Sequence, residues 1–243
     1  MAHDVPVIQL KDISFTWPGA GAPTLDGVNL TIETKDRIGI MAPNGSGKTT
    51  LFHTIMGLCI PDAGTIEVLG QPMKTEKDFE QIRSRVGLLF QDADDQLFSP
   101  TVIDDVCFGP LNLGFSPAEA LEQSRAILDR LGIANLEDCI THKLSGGQKR
   151  LVALAAVMAM EPELLLLDEP TAGLDAGVKN TLADTLVSLS IPYIVISHEF
   201  DFISAVTNRI FSMEKGRILT DDEVHIHQHE HMHKLGKFPH KHV

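Results

Sequence analysis

The stretch Ala42-Pro43-Asn44-Gly45-Ser46-Gly47-Lys48-Thr49-Thr50 constrains this chain more than any other part of it. It follows an apolar segment, Arg37 to Met41, that reads as a strand, and it runs into a helical pattern lasting to about Met56. A strand, a glycine-rich turn and a helix in that order make a loop suited to holding phosphate. Gly45 and Gly47 let successive backbone N–H groups point inward. Lys48 is placed to reach the β and γ oxygens of a nucleotide, and the Thr49 hydroxyl to ligate magnesium. The helix adds its positive end. Ala42 stands where the pattern G-x-x-x-x-G-K-[ST] has its first glycine, so the loop entry is expected at negative φ.

A second apolar run, Leu164 to Leu167, ends in Asp168-Glu169-Pro170. Four consecutive leucines fit a strand buried on both faces, and open α/β sheets place ligands at the carboxyl ends of such strands. Asp168 is suited to hold magnesium and Glu169 to polarise an attacking water as general base. Hydrophobic residues make up 43% of the chain and aromatics 5%, so the core is aliphatic and the class is α/β.

Other strands are expected at residues 7–17, Val28 to Ile32, 65–69, 86–90, Tyr193 to Ile196 and Ile210 to Met213. From Gln91 to about Met160 the pattern turns helical, over Thr101 to Asn112, Pro117 to Leu131 and Ser145 to Met160. This stretch reads as a helical subdomain inserted in an α/β core. The folded domain is expected over residues 5–220, followed by a flexible polar tail at 221–243. No internal repeat is visible.

The net charge of −13 argues against binding to nucleic-acid backbones. Cys59, Cys107 and Cys139 are widely spaced and form no C-x-x-C pair, which fits reduced thiols in a cytosolic protein. The N-terminus lacks the basic and apolar regions of a signal peptide. The longest apolar run, Leu151 to Met160, falls well short of the ~20 residues that span a bilayer. The chain is therefore expected to be soluble, with any membrane helices supplied by other subunits.

Leu144-Ser145-Gly146-Gly147-Gln148 completes the pattern. Ser145 is a good helix N-cap, and Gly146 and Gly147 allow backbone N–H groups to approach an anion. Together with the phosphate loop, this LSGGQ sequence makes the chain resemble the ATP-binding cassette ATPases. The resemblance covers about residues 5 to 220. It implies a P-loop NTPase (RecA-like) core with an antiparallel β subdomain and an inserted helical subdomain. It also implies Mg-ATP hydrolysis between two chains, with the signature residues of one facing the γ-phosphate held by the other. Under the resemblance Gln91 is the Q-loop glutamine that senses magnesium, His198 the switch histidine and Asp175 the D-loop residue at the dimer interface. Trp17 is the aromatic that stacks on adenine, with Phe15 two residues earlier on the expected strand. Both half-sites look intact, which favours a homodimer.

Phe90 to Val102 and Asp105 to Pro110 resemble the ATPases of energy-coupling factor importers, which take up vitamins, nickel and cobalt. That resemblance implies membrane-spanning coupling and substrate-binding subunits docked along Gln91 to Pro110, at the cytoplasmic face of a prokaryotic cell membrane. The alternatives are the ATPase of a vitamin importer of this type or of a conventional importer. Cassette proteins of DNA repair or translation carry two cassettes or coiled-coil arms, neither of which is present. The tail holds His225, His227, His229, His231 and His233, alternating with other residues, then His240 and His242. Imidazoles at that density suit nickel or cobalt.

Overall fold

The computed structural model describes residues 6–219. The histidine-rich segment and the two ends of the expected 5–220 domain lie outside the described residues. Two sheets organise the chain. The first contains β1 (Ile8–Phe15), β2 (Leu25–Ile32), β4 (Ala63–Val68) and β5 (Gln71–Met73), antiparallel in the order β2-β1-β4-β5. The second contains β3 (Arg37–Met41), β6 (Val86–Leu89), β7 (Leu164–Asp168), β8 (Tyr193–Ser197), β9 (Arg209–Glu214) and β10 (Arg217–Leu219). Its order is β10-β9-β3-β8-β7-β6, parallel except for the β9–β10 hairpin.

The leucine run explains itself in this second sheet. Leu164 and Leu166 point into the core shared with the antiparallel sheet, while Leu165 and Leu167 point into the core beneath the helices. The adjacent strand divides the same way, with Ile194 and Ile196 on one side and Tyr193 and Val195 on the other. A strand covered on both faces has no polar position to offer, so period-two alternation disappears. Each buried leucine contributes roughly 1.5–3 kcal/mol.

The helices are α1 (Lys48–Ile55), α2 (Glu76–Arg83), α3 (Val102–Asn112), α4 (Pro117–Arg130), α5 (Gly146–Met158), α6 (Ala176–Ser188) and α7 (Phe200–Val206). Three of them, α3 to α5, fill the stretch between β6 and β7, with short 3-10 turns between them. Their starts are locally encoded. Thr101 caps α3, Ser116 forms a capping box with Glu119 ahead of α4, and Ser145 forms one with Gln148 ahead of α5.

Three expectations need correction. The strand expected over 7–17 stops at Phe15, because the Thr16 N–H turns away from the ladder to the Asp62 carboxylate at 2.8 Å. Trp17 therefore lies beyond the strand, not on it. The second strand starts at Leu25, three residues before Val28. Elements β5, α2 and β10 were not anticipated; α2 is polar, burying only Phe79 and Ile82.

Candidate active site

Four parallel strands, β3, β6, β7 and β8, end on one edge of the sheet, and the next residues of each meet there. The loop after β3 runs from Ala42 to Gly47. Its turn is closed by the Ser46 N–H donating to the Pro43 carbonyl at 3.2 Å. Ala42 is buried and is not among the residues with positive φ, so alanine is accommodated at the loop entry. Gly45 (φ 78°) and Gly47 (φ 100°) do adopt the left-handed region. At Gly47 a Cβ would lie 2.6 Å from the Thr24 carbonyl oxygen, whereas at Gly45 it would meet open space. The Gly216 N–H donates to the Ser46 carbonyl at 3.0 Å, so the β9–β10 turn braces the loop from behind.

Lys48 opens α1 and its side chain is buried. Nζ sits 3.0 Å from Glu169 Oε1 and 3.3 Å from Asn44 Oδ1. Thr49 Oγ1 donates to Asp168 Oδ2 at 2.7 Å and lies 3.5 Å from Gln91 Oε1. His198, exposed after β8, places Nδ1 3.0 Å from Glu169 Oε2. Lys48, Thr49, Gln91, Asp168, Glu169 and His198, drawn from four separate segments, thus form one contiguous set. Thr50 is buried on α1 beside them.

A cleft of about 320 Å³ opens in front of this set, lined by Thr24, Asn44, Gly45, Gly47, Lys48, Thr49, Thr50 and Gln91. A larger cavity of about 520 Å³ lies between β4, β5 and α2 and shares no lining residue with that cleft. Its lining offers none of the loop's convergent N–H groups, so the chemistry belongs to the smaller cleft.

The donor set fits magnesium and a nucleotide. Among the described residues, Asp168 Oδ1 is buried without a hydrogen-bond partner, and the same holds for Ser46 Oγ in the phosphate loop. Buried polar atoms without partners are rare, and here Ser46 lies between the cleft-lining Gly45 and Gly47 while Asp168 accepts from the cleft-lining Thr49. Burial raises the Asp168 carboxyl above its usual range, and the Thr49 hydroxyl and Lys48 only partly offset this. A cation at the free oxygen would restore the carboxylate form.

Glu169 itself sits at φ 51°, a conformation that costs a non-glycine residue about 1–3 kcal/mol. It is over-determined: its N–H donates to the Ile196 carbonyl at 2.8 Å, and its own carbonyl accepts from Ala172 N–H at 3.2 Å and from Arg150 at 2.6 Å. Glu199, next to His198, accepts from the Thr171 hydroxyl at 2.6 Å and the Lys179 ammonium at 2.5 Å. Burial alone would raise the Glu199 carboxyl, but the Lys179 and Thr171 hydrogen bonds together with the neighbouring charges of Lys179 and His198 hold it below its usual range.

The signature residues are elsewhere. Ser145 and Gly146 are exposed at the start of α5, where the Ser145 N–H donates to Gln148 Oε1 at 2.9 Å and the Gln148 N–H to Ser145 Oγ at 3.3 Å. Gly147 packs so closely on the loop after β7 that a Cβ would lie 2.9 Å from the Gly173 carbonyl oxygen. Asp175 caps α6 by accepting from the Val178 N–H at 3.0 Å. Among the described residues, no hydrogen bond joins Ser145, Gly146, Gly147, Gln148 or Asp175 to the phosphate loop. Trp17 is half-exposed, its ring edge-on to buried Phe15 with centroids 5.0 Å apart.

Sequence reasoning passed over Arg150, Gln96, Lys179 and Thr171. Gln96 holds the end of β6, accepting from the Phe90 N–H and donating to the Leu88 carbonyl, each at 3.3 Å. The signal for Arg150 was present: a lone guanidinium at the start of an otherwise apolar helical run.

A family model described as "ABC transporter" matches residues 25–172. The energy-coupling factor transporter ATP-binding protein EcfA of Methanothermobacter thermautotrophicus is 40% identical, covering 88% of this chain and 70% of that protein. The cobalt import ATP-binding protein CbiO of Rhodobacter capsulatus is 42% identical, covering 89% and 78%. The solved structure of cbiO1 from Clostridium perfringens, described as part of the ABC transporter complex cbiONQ, superposes with a TM-score of 0.78 at 35% identity, covering 88% and 87%. With the phosphate loop, the Asp168–Glu169 strand end and the LSGGQ helix all in place, the chain belongs to the ABC transporter family, as an ATP-binding and ATP-hydrolysing subunit.

Proposed function

We propose that the chain energises an energy-coupling factor importer for cobalt or nickel, acting as a homodimer bound peripherally at the cytoplasmic face of the membrane. The observation that carries the catalytic part is the convergence of Lys48, Thr49, Gln91, Asp168, Glu169 and His198 while Ser145 is exposed and, among the described residues, makes no hydrogen bond to the phosphate loop. One chain supplies the phosphate loop and base, and a second, head to tail, supplies the donors of its LSGGQ helix.

In this reading the N–H groups of residues 44 to 49 and the Lys48 ammonium hold the β- and γ-phosphates, and Trp17 stacks on the adenine. Thr49, Asp168 and Gln91 hold magnesium, which supplies positive charge to the phosphate oxygens when bound. Glu169 accepts the proton of the attacking water. His198, 3.0 Å from the Glu169 carboxylate, steadies that carboxylate and faces the γ-phosphate. The partner's Ser145 hydroxyl and glycine N–H groups close the far side.

The membrane-coupling part is supported by the surface next to the Q-loop. Phe98 and Phe108 are exposed and stacked edge to face with centroids 4.7 Å apart, with exposed Leu111 and Leu113 further along α3. Such a patch suits an apolar partner helix. Among the described residues, no helix is long and apolar enough to cross a membrane, so this surface is where spanning subunits would act. The cargo assignment draws on the likeness to the cobalt import relative and on the tail histidines His225 to His233, which we assign to binding or buffering the imported ion. Unchanged nickel binding after removal of residues 225–243 would contradict that role.

Cobalt and nickel accumulation should be measured in cells that co-express the chain with the membrane proteins encoded beside it. The proposal predicts uptake that is lost with Glu169→Gln. Assembly of the complex without uptake of either metal would move the cargo to vitamins.

A further inference from the structure

Arg150 lies near the start of α5, on the same helix end that Ser145 caps. Its guanidinium donates from Nη1 to the Glu169 carbonyl at 2.6 Å and from Nη2 to the Gln91 carbonyl at 2.7 Å. The first carbonyl belongs to the residue held at φ 51°, and the second to Gln91, two residues beyond the end of β6. Among the described residues Nε is buried without a partner, and the fork is held by these two bonds. Neighbouring Lys149 donates to Asp94 Oδ1 at 2.5 Å, tying the same helix to the turn that follows Gln91. Burial lowers the Arg150 pKa while Glu169, Asp168 and Asp92 pull it back, and an arginine in such surroundings stays charged.

Three parts of the site therefore meet on one planar side chain: the signature helix, the Q-loop and the backbone of the base. We propose that Arg150 is a positioning residue for ATP hydrolysis, fixing the backbone of Glu169 and Gln91 to the signature helix so that displacement of the Ser145 end reaches both. The proposal rests on the reading of Glu169 as the base. Arg150 touches neither phosphate nor water in this scheme; it acts through the two carbonyls. A lysine keeps the charge but lacks the rigid fork, and cannot hold two carbonyls in fixed relation.

The test is steady-state turnover of the full chain with Mg-ATP for the native protein, Arg150→Lys, Arg150→Met and Glu169→Gln, with circular dichroism to establish folding. The expected result is a kcat at least about tenfold lower in Arg150→Lys, lower still in Arg150→Met, with KM for Mg-ATP within about twofold of native in both. Native kcat in Arg150→Lys would overturn the proposal. So would a KM that rises in step with the loss of kcat, or failure of both arginine variants to fold, because each assigns Arg150 a purely structural role. Native turnover in Glu169→Gln would overturn the underlying reading of the base, independently of the arginine result.

Discussion

The Lys48 ammonium and the Glu169 carboxylate form a buried ion pair 3.0 Å long, so the cation we propose for phosphate binding is held by the group we propose as the general base. Breaking a buried pair by removing one partner destabilises by about 3–5 kcal/mol, because the other charge is left without its compensation. On that proposal, phosphate entering the loop would compete for Lys48 and free the Glu169 carboxylate to accept a proton from water. Glu169→Gln should melt lower than the native chain without nucleotide, and ATP should stabilise it more than it stabilises the native chain. Turnover should fall at least about a hundredfold. Thermal melts with and without ATP, alongside phosphate release, check this; a fully active variant would contradict the assignment of the base.

Asp168 gives a pH dependence with a definite sign. Its carboxyl binds a proton more tightly in the folded chain than in the unfolded one, because burial disfavours the charge. Its contribution to stability is therefore favourable at low pH. That contribution is lost as the pH rises from the ordinary aspartate value, about 4, through the raised folded value. Asp168→Asn should melt about 2–4 °C higher than native at pH 7.5 without magnesium, with the difference closing toward pH 4. Turnover should be abolished. Equal melting temperatures at both pH values would contradict the account.

The two loop glycines should not be equivalent. Gly47→Ala drives a Cβ against the Thr24 carbonyl, a backbone atom that cannot step aside. It should cost more than about 2 kcal/mol and abolish ATP binding. Gly45→Ala meets no atom and bears only the left-handed strain, about 1–2 kcal/mol. Denaturant melts of the two variants read the difference directly.

Trp17 offers a half-exposed indole in a T-shaped contact with Phe15, and we propose that it stacks on adenine. Removing one aromatic stack is worth about 0.5–1.5 kcal/mol. Trp17→Ala should raise KM for ATP about three- to tenfold and leave kcat unchanged. A change in kcat alone would place the tryptophan elsewhere in the cycle.

Much of this site was legible because phosphate chemistry needs contiguous residues. The turn from Asn44 to Thr49 must be local to wrap an anion, and the leucine run ending in Asp168 and Glu169 announces both a two-sided sheet and its ligand edge. The supporting contacts were not legible. Arg150 reaches back to Gln91, and Lys48 forward to Glu169, across separations that only the strand order sets. Helix α2 was missed although Thr75 and Asp78 form a capping box before it, because its polar composition hid the single stripe of Phe79 and Ile82. The extent of β1 was misjudged because a side chain, Asp62, ends its ladder.

The central claim is that ATP held by one chain is hydrolysed against the LSGGQ helix of another. The most direct measurement is Mg-ATPase rate as a function of chain concentration, for the native protein and for Ser145→Arg. The account predicts a rate rising with the square of native concentration before saturation, and loss of turnover in Ser145→Arg with ATP binding retained. A rate linear in concentration from the start, with Ser145→Arg fully active, would contradict it.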